Sequence, residues 1–271
     1  MHRTKVRIVE EALDANNTIA HANRADFDRA GVSVVNFMSA PGAGKTSLLE
    51  RVVGNVPGVR VGVLEGDVQG SLDADRLAGL HVPVTQLNTD PSFGGECHLD
   101  ANMVRSALDA VPLAEIDMLV IENVGNLVCP AEFKVGEDVR VMVSAVTEGE
   151  DKPLKYPTAF GLANLVLVTK TDIAEAVGFD EELFRRHVQQ VNPGVPVLLT
   201  SARTGEGAGA LLDAALAVAS GSPVHAPVMA RQHPHQHEHG GRPDGHDHGD
   251  GHDHGHAHSH ATAAAVPTHH S

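Results

Sequence analysis

The chain has no tryptophan and one tyrosine, and aromatics make up 3% of its 271 residues. With 42% hydrophobic content a core must still form, so it has to rest on valine, leucine, isoleucine and alanine. Two cysteines, Cys97 and Cys129, cannot frame a disulfide scaffold in a chain of this size, which favours a reduced compartment. Basic residues are outnumbered 20 to 35, for a formal net charge of −15, and that balance excludes a general nucleic-acid binder. No run of about 18 apolar residues is present to span a membrane. The opening stretch "MHRTKVRIVEEALDANN" lacks the apolar core and cleavage site of a secretory signal, so a cytoplasmic location is expected.

What the sequence does contain divides it into three parts: a helical extension over residues 1–30, an α/β region over 31–220, and a tail over 221–271. The apolar runs "VSVVNFM", "RVGVLEG", "DMLVIENV", "VRVMVSAV", "LANLVLVTK" and "PVLLTS" are continuous rather than alternating. Runs of this kind suit strands covered on both faces. Helical patterns lie between several of them, Leu48, Leu49, Val52 and Val53 in one case, Leu99, Met103, Leu108 and Val111 in another. The alternation predicts an α/β fold with a mostly parallel sheet and right-handed crossovers, preceded by a helix over about Lys5–Arg29.

One segment carries most of the chemistry. "MSAPGAGKTSLLE" follows an apolar run, precedes a helical pattern and ends in the Gly44-Lys45-Thr46 of a phosphate-binding loop, although Ser39 stands where the usual pattern opens with glycine. Gly42, Ala43, Gly44 and Ser47 would offer backbone N–H groups to an anion. Lys45 can reach β- and γ-phosphates, and the Thr46 hydroxyl can ligate Mg²⁺. A P-loop NTPase is therefore expected. "LEGD" and "IENVG" end two other runs, so Asp67 and Glu122 become candidate carboxylates for magnesium, and Gly125 a candidate γ-phosphate sensor. No catalytic base stands out, which implies slow hydrolysis.

The base is addressed by two further stretches. In "LVTKTD" Lys170 and Asp172 match the end of N-K-x-D, with Thr169 replacing asparagine; in "TSARTGEG" Ser201 and Ala202 open an S-A-x-x-G loop. A carboxylate at 172 accepts both the N1–H and the 2-amino donors of guanine, a pair that adenine does not offer, so GTP and GDP are favoured.

Cys97 and His98 are adjacent at an expected helix N-terminus, where a thiolate is stabilised. With Cys129 they give a ligand set suited to Ni²⁺ or Zn²⁺ and poor for Mg²⁺. Three ligands fall short of a closed tetrahedron, and water or a second subunit would complete it. The tail holds His233, His235, His237, His239, His246, His248, His252, His254, His256, His258 and His260, interleaved with Asp and Gly. This composition cannot offset its ordering entropy, so disorder without a ligand is expected, and the imidazoles form a candidate metal store. A flexible stretch of some forty residues spans roughly 35–40 Å, and tethering gives an effective concentration on the order of millimolar.

The stretches "SAPGAGKTSLLE", "LEGD", "GGECHLDANMV" and "IENVGNLVCPAEF", with the T-K-x-D segment, resemble the hydrogenase-maturation GTPases of the HypB family. These are nickel-inserting P-loop GTPases of the SIMIBI class, related to the urease accessory G proteins. The resemblance covers roughly residues 4–220. It implies a GTP-dependent homodimer holding metal through Cys97, His98 and Cys129. It further implies delivery of Ni²⁺ to the large subunit of nickel–iron hydrogenase, together with a nickel-delivery accessory protein. A urease-type client and a passive nickel or zinc store are the alternatives; the Cys-Pro-His triplet expected of the urease relatives is absent. The sequence departs from the family pattern in lacking an N-terminal Cys-x-x-Cys, so no second tight site is expected there. Its histidine-rich stretch lies at the C-terminus instead of near the N-terminus. Thr169 bears on base affinity and not on base identity.

Only neutral imidazole binds a metal ion, so the nickel capacity of the tail should fall as pH drops through about 6.5. Equilibrium dialysis against Ni²⁺ at pH 7.5 and pH 5.5 checks this; equal stoichiometry at both would remove the store.

Overall fold

The computed structural model describes residues 8–67, 76–77, 79–88, 98–128 and 131–231. Chain contacts separate Met1–Pro234 from His235–Ser271, and the second unit, with ten of the eleven candidate metal-store histidines, lies outside the described residues, as does the eleventh, His233.

Among the described residues seven strands form one parallel sheet in the order β3-β2-β4-β1-β5-β6-β7. They are β1 (Ser33–Ser39), β2 (Val61–Asp67), β3 (Val84–Asn88), β4 (Met118–Glu122), β5 (Val139–Ala145), β6 (Leu165–Thr169) and β7 (Val197–Leu199). Every residue of β4, β5 and β6 is buried, the reason their sequences are mostly apolar without alternation. Six of the seven were expected. The seventh, β3, is an edge strand among the described residues, and its "VTQLN" mixes apolar with polar, partly exposed side chains.

Helices cover both faces. On one, α2 (Lys45–Val52) and the helix Ala208–Ala219 pack on Val35, Phe37, Val120 and Val141. On the other, Phe160, Phe184 and Val188 pack on Met142, Val166 and Val168, while Phe27, Leu99 and Val104 pack on Leu64, Leu119 and Ile121. The scarce phenylalanines thus mark separate packing centres, with valine and leucine filling the rest.

Helix α1 (Ile8–Ala30) exists as expected, but its buried stripe differs from the apolar positions. Asn16, Ala20, Asn23 and Phe27 recur at helical spacing and are buried, two of them polar. A stripe that includes buried asparagines gives a weak hydrophobic period. Gly31 adopts a left-handed φ of 71° and ends the helix, with Val32 N donating to Phe27 O at 2.9 Å.

The ordered chain also runs past the expected boundary at Ser220. Asn164 Nδ2 donates to His225 O at 2.8 Å, and the His225 ring bonds Asn192 Oδ1 at 2.8 Å. Residues 222–231 therefore return onto the sheet domain instead of opening the tail.

The segment between β4 and β5 is pinned by a buried ion pair. Arg140 meets Glu137 at 2.6 Å, both side chains under a tenth exposed, and its guanidinium also donates to Ala131 O and Phe133 O. Removing one member strands the other charge in the interior. Glu137→Ala should lower unfolding free energy by about 3–5 kcal/mol, visible as a lower urea midpoint at unchanged m-value; a midpoint within error of the parent would contradict the pairing.

Candidate nucleotide site and the segments beside it

Because the sheet is parallel, the carboxyl ends of β1, β2, β4 and β6 share one edge, where α/β proteins bind ligands. The loop after β1 turns at Gly42 (φ 73°) and Gly44 (φ 91°), a conformation that other residues rarely adopt. α2 starts directly afterwards with no side-chain cap and no acidic residue in its first turn, so its N-terminal N–H groups and positive dipole end face the loop.

Ser39 proves more than a tolerated departure. Its Oγ accepts from Lys45 Nζ at 2.8 Å and donates to Ala40 O at 2.7 Å, placing the buried lysine along the loop. Thr46 Oγ1 donates to Glu122 Oε1 at 2.6 Å. Gly125 lies against Pro41 so closely that an added Cβ would come within 2.9 Å of Pro41 Cα. The loop, Glu65, Gly66, Arg76, Glu122, Asn123, Gly125 and Lys170 line a cavity of about 520 Å³.

Sequence reasoning missed Glu65 and Arg76. Glu65 is 3% exposed and stands opposite Glu122 in the β2–β4 register. Period-2 geometry was the available signal, since Glu65 precedes Asp67 by two residues on one strand. Arg76 donates to Ser47 Oγ at 3.0 Å and pairs with Glu50 at 2.8 Å. The side chain of Asp67 lies outside the described residues.

The second half of the site hangs from β6 and β7. Thr169 Oγ1 donates to Ala43 O at 2.6 Å, and Lys170 Nζ to Gly42 O at 2.7 Å, so the segment after β6 is strapped to the phosphate loop. Lys170 sits at a left-handed φ of 60°. Asp172 accepts from Ser201 Oγ at 2.5 Å and from Arg203 Nε at 2.6 Å. These two partners, the serine hydroxyl foremost, hold its carboxyl below the usual aspartate range. Arg51 Nε donates to Ala202 O at 2.6 Å and steadies the second loop. A cavity of about 390 Å³ is lined by Lys170, Asp172, Ala202 and Arg203, and shares Gly44, Ser47 and Lys170 with the first. Through these shared residues the two adjoin as one trough.

His98 is buried, its ring centroid 4.6 Å from that of Phe133. The following helix is Ala101–Ala107, capped by Asp100, which accepts from Met103 N at 2.7 Å. His98 thus precedes the helix rather than occupying its first turn, because Asp100 and not the Cys-His pair supplies the cap. Leu99 N donates to Asn123 Oδ1 at 3.0 Å, so the residue after Glu122 holds the residue after His98. From α1, Asn16 Oδ1 accepts from Ala101 N at 2.8 Å while its Nδ2 donates to Lys134 O at 2.8 Å. Asn23 Nδ2 donates to Ala101 O at 2.8 Å and Val135 O at 3.2 Å. The two asparagines join the His98 segment to the Phe133 segment. Cys97 and Cys129 lie outside the described residues; among the described residues no group of three His, Cys, Asp or Glu side chains could hold a metal ion.

A parallel sheet, a glycine loop closing on lysine and threonine, and a helix pointing its N-terminus at that loop define a P-loop nucleotide-binding protein. Residues 33–199 match the family described as CobW/HypB/UreG, nucleotide-binding domain, and the chain belongs to that family. It is 46% identical over 205 residues to the hydrogenase maturation factor HypB of Azotobacter vinelandii, a match covering 75% of this chain and 66% of that protein. It is 44% identical to the Escherichia coli HypB, covering 76% and 70%. The chain therefore spans just under two thirds of the Azotobacter relative. Among solved structures, HypB from Helicobacter pylori in complex with nickel superposes with a TM-score of 0.72 at 34% identity, covering 76% of this chain and 96% of that one. HypB from Archaeoglobus fulgidus gives 0.70 at 35%, covering 76% and 99%.

The close approach at Gly125 yields a test. Gly125→Ala should push the segment off Pro41 and weaken binding of a nucleoside triphosphate at least about tenfold, since a sub-3 Å contact with backbone cannot be relieved by a rotamer change. Isothermal titration of parent and variant measures it, and equal affinities would show that the contact does not shape the pocket.

Proposed function

We propose that this protein is a GTP-hydrolysing nickel metallochaperone that serves the maturation of nickel–iron hydrogenase in the cytoplasm. The observation that carries the reading is the pair Glu122–Asn123 at the end of β4. One residue accepts from Thr46 of the phosphate loop, and the next holds the backbone beside His98. A change at the nucleotide can thus reach the cargo segment through two neighbouring residues.

In this reading Lys45 neutralises the β- and γ-phosphates, the N–H groups of residues 42–47 cradle them, and Gly125 approaches the γ-phosphate. Thr46 Oγ1 and the Glu122 carboxylate are hard oxygen donors in hydrogen-bond contact, with Glu65 opposite, a donor set that fits Mg²⁺. The ion would supply charge neutralisation at the phosphates when bound; Asp67 is the third proposed ligand. Asp172 and the loop at Ser201 and Ala202 select guanine. Water attacks the γ-phosphate and GDP and inorganic phosphate leave, slowly, for want of a positioned base. Cys97, His98 and Cys129 take Ni²⁺, or Zn²⁺, as cargo, and the tail histidines store it.

The similarity to hydrogenase maturation factors, and to a HypB crystallised with nickel, supports the client and the metal. The Helicobacter pylori relative, 37% identical over 84% of its length, carries the name hydrogenase/urease maturation factor, which keeps a urease client as the second reading. Partners in the primary reading are the hydrogenase large subunit, a nickel-delivery protein and a second copy of this chain in the GTP state.

Lys45→Ala should abolish GTP turnover while leaving nickel uptake by the tail intact; turnover equal to the parent would overturn the site. Nickel affinity at the cysteines, read from thiolate-to-nickel charge-transfer absorption that imidazoles do not give, should differ at least about fivefold between GDP and a non-hydrolysable GTP analogue. Indistinguishable curves would remove the coupling and favour a passive store.

A further inference from the structure

Asp172 is placed to accept two hydrogen bonds from one edge of a purine, yet each of its oxygens already has a partner. Ser201 Oγ donates to Oδ1 and Arg203 Nε to Oδ2. The partners differ in kind. Ser201 is 1% exposed, and its Oγ also accepts from Thr204 N at 3.2 Å, so the loop itself fixes that hydroxyl. Arg203 carries a side chain 73% exposed on a carboxylate only 9% exposed. A long cation in solvent holding a sheltered anion is a detachable partner, since such pairs contribute little net free energy. The backbone around it is anchored by Arg51 on Ala202 O and by Gly205 N on Ser201 O, so the guanidinium can leave without moving the loop.

We infer that Arg203 is a specificity-determining residue: a tethered cation on the Asp172 oxygen that a purine 2-amino group needs, displaced only by a base that brings that amino group. The inference rests on the guanine-reading role proposed for Asp172. Guanine presents two adjacent donors, N1–H and the 2-amino group, and must exchange Arg203 for the second. Hypoxanthine presents N1–H alone, bonds one oxygen and leaves Arg203 on the other. The arginine therefore narrows the gap between guanine and hypoxanthine nucleotides without admitting adenine, which has no donor at N1. A neutral residue at 203 widens that gap, because guanine no longer has to break an ion pair and hypoxanthine loses the group that compensates for its missing amine.

The test measures dissociation constants of GDP, IDP and ADP for the full chain, by competition against a fluorescent guanine nucleotide, in the parent, Arg203→Met and Arg203→Lys. In the parent, GDP should bind at least about a hundredfold more tightly than ADP. Arg203→Met should raise the GDP-over-IDP preference about three- to fivefold, mainly by tightening GDP, while Arg203→Lys, which keeps the charge, should stay within twofold of the parent ratio. A merely structural role would weaken all three nucleotides together. If the parent binds GDP and ADP alike, the guanine-reading assignment fails and takes this inference with it. If that discrimination is present but the GDP-over-IDP ratio is unchanged or smaller in Arg203→Met, the inference alone is overturned.

Discussion

The parallel pairing of β1 with β4 is the constraint on which the rest depends. Its register sets Phe37 opposite Glu122, so the strand that launches the phosphate loop and the strand that ends in a carboxylate stop at the same level. Thr46, two residues into the helix entrance, then meets Glu122 without any long side chain having to reach. A slip of one residue would turn Glu122 to the opposite face of the sheet and break that meeting. Asn123, the next residue along, inherits its position from the same register and bonds both Asn36 of β1 and the backbone of Leu99. Two adjoining residues at the end of one strand thus divide their attention between the glycine loop and the segment that carries His98.

How much of this the sequence disclosed follows from what each residue does physically. The glycine loop was legible because left-handed turns and a phosphate-facing lysine demand particular residue types. The central strands were legible because burial on both faces favours apolar side chains, and the few polar ones there, such as Asn36, Glu122 and Arg140, do not break the runs. β3 was not, since an edge strand tolerates Thr85 and Gln86 and its pattern fades. α1 was legible only in outline: its buried stripe includes Asn16 and Asn23, which spend their polar atoms on the backbones of two distant loops, and no hydrophobic count can register that. Glu65 went unseen because a carboxylate inside a strand looks like an interruption until its partner strand is known. The pairing of Lys45 with Ser39 could not be read at all, as it joins the two ends of a loop whose curvature the sequence does not specify.

Charge presents an instructive contrast. The chain is strongly acidic overall, while its trough gathers Lys45, Lys170, Arg76 and Arg203 beside the carboxylates of Glu50, Glu65, Glu122 and Asp172. Each of these cations is already engaged, by Ser39, Gly42 O, Glu50 and Asp172 respectively. An acidic exterior repels polyanions such as nucleic acid, and cations gathered in one trough give a compact anion a local foothold. The field therefore discriminates by size and location of charge rather than by its sign alone. The partners of Lys45, Lys170 and Arg76 hold those three cations oriented along the phosphate loop.

The returning segment at 222–231 bears on how the sheet domain and the histidine run can be separated by a protease or by design. Its histidine ring sits on Asn192, whose amide also donates to Phe160 O and Ala163 O, and Met229 lies over the bare backbone of Gly161. Cleavage after Ser220, where the composition changes, would remove the His225 partner of that asparagine and strip the Met229 covering from a glycine. A cut beyond Arg231 spares both, so a separation placed by composition alone would fall about ten residues too early.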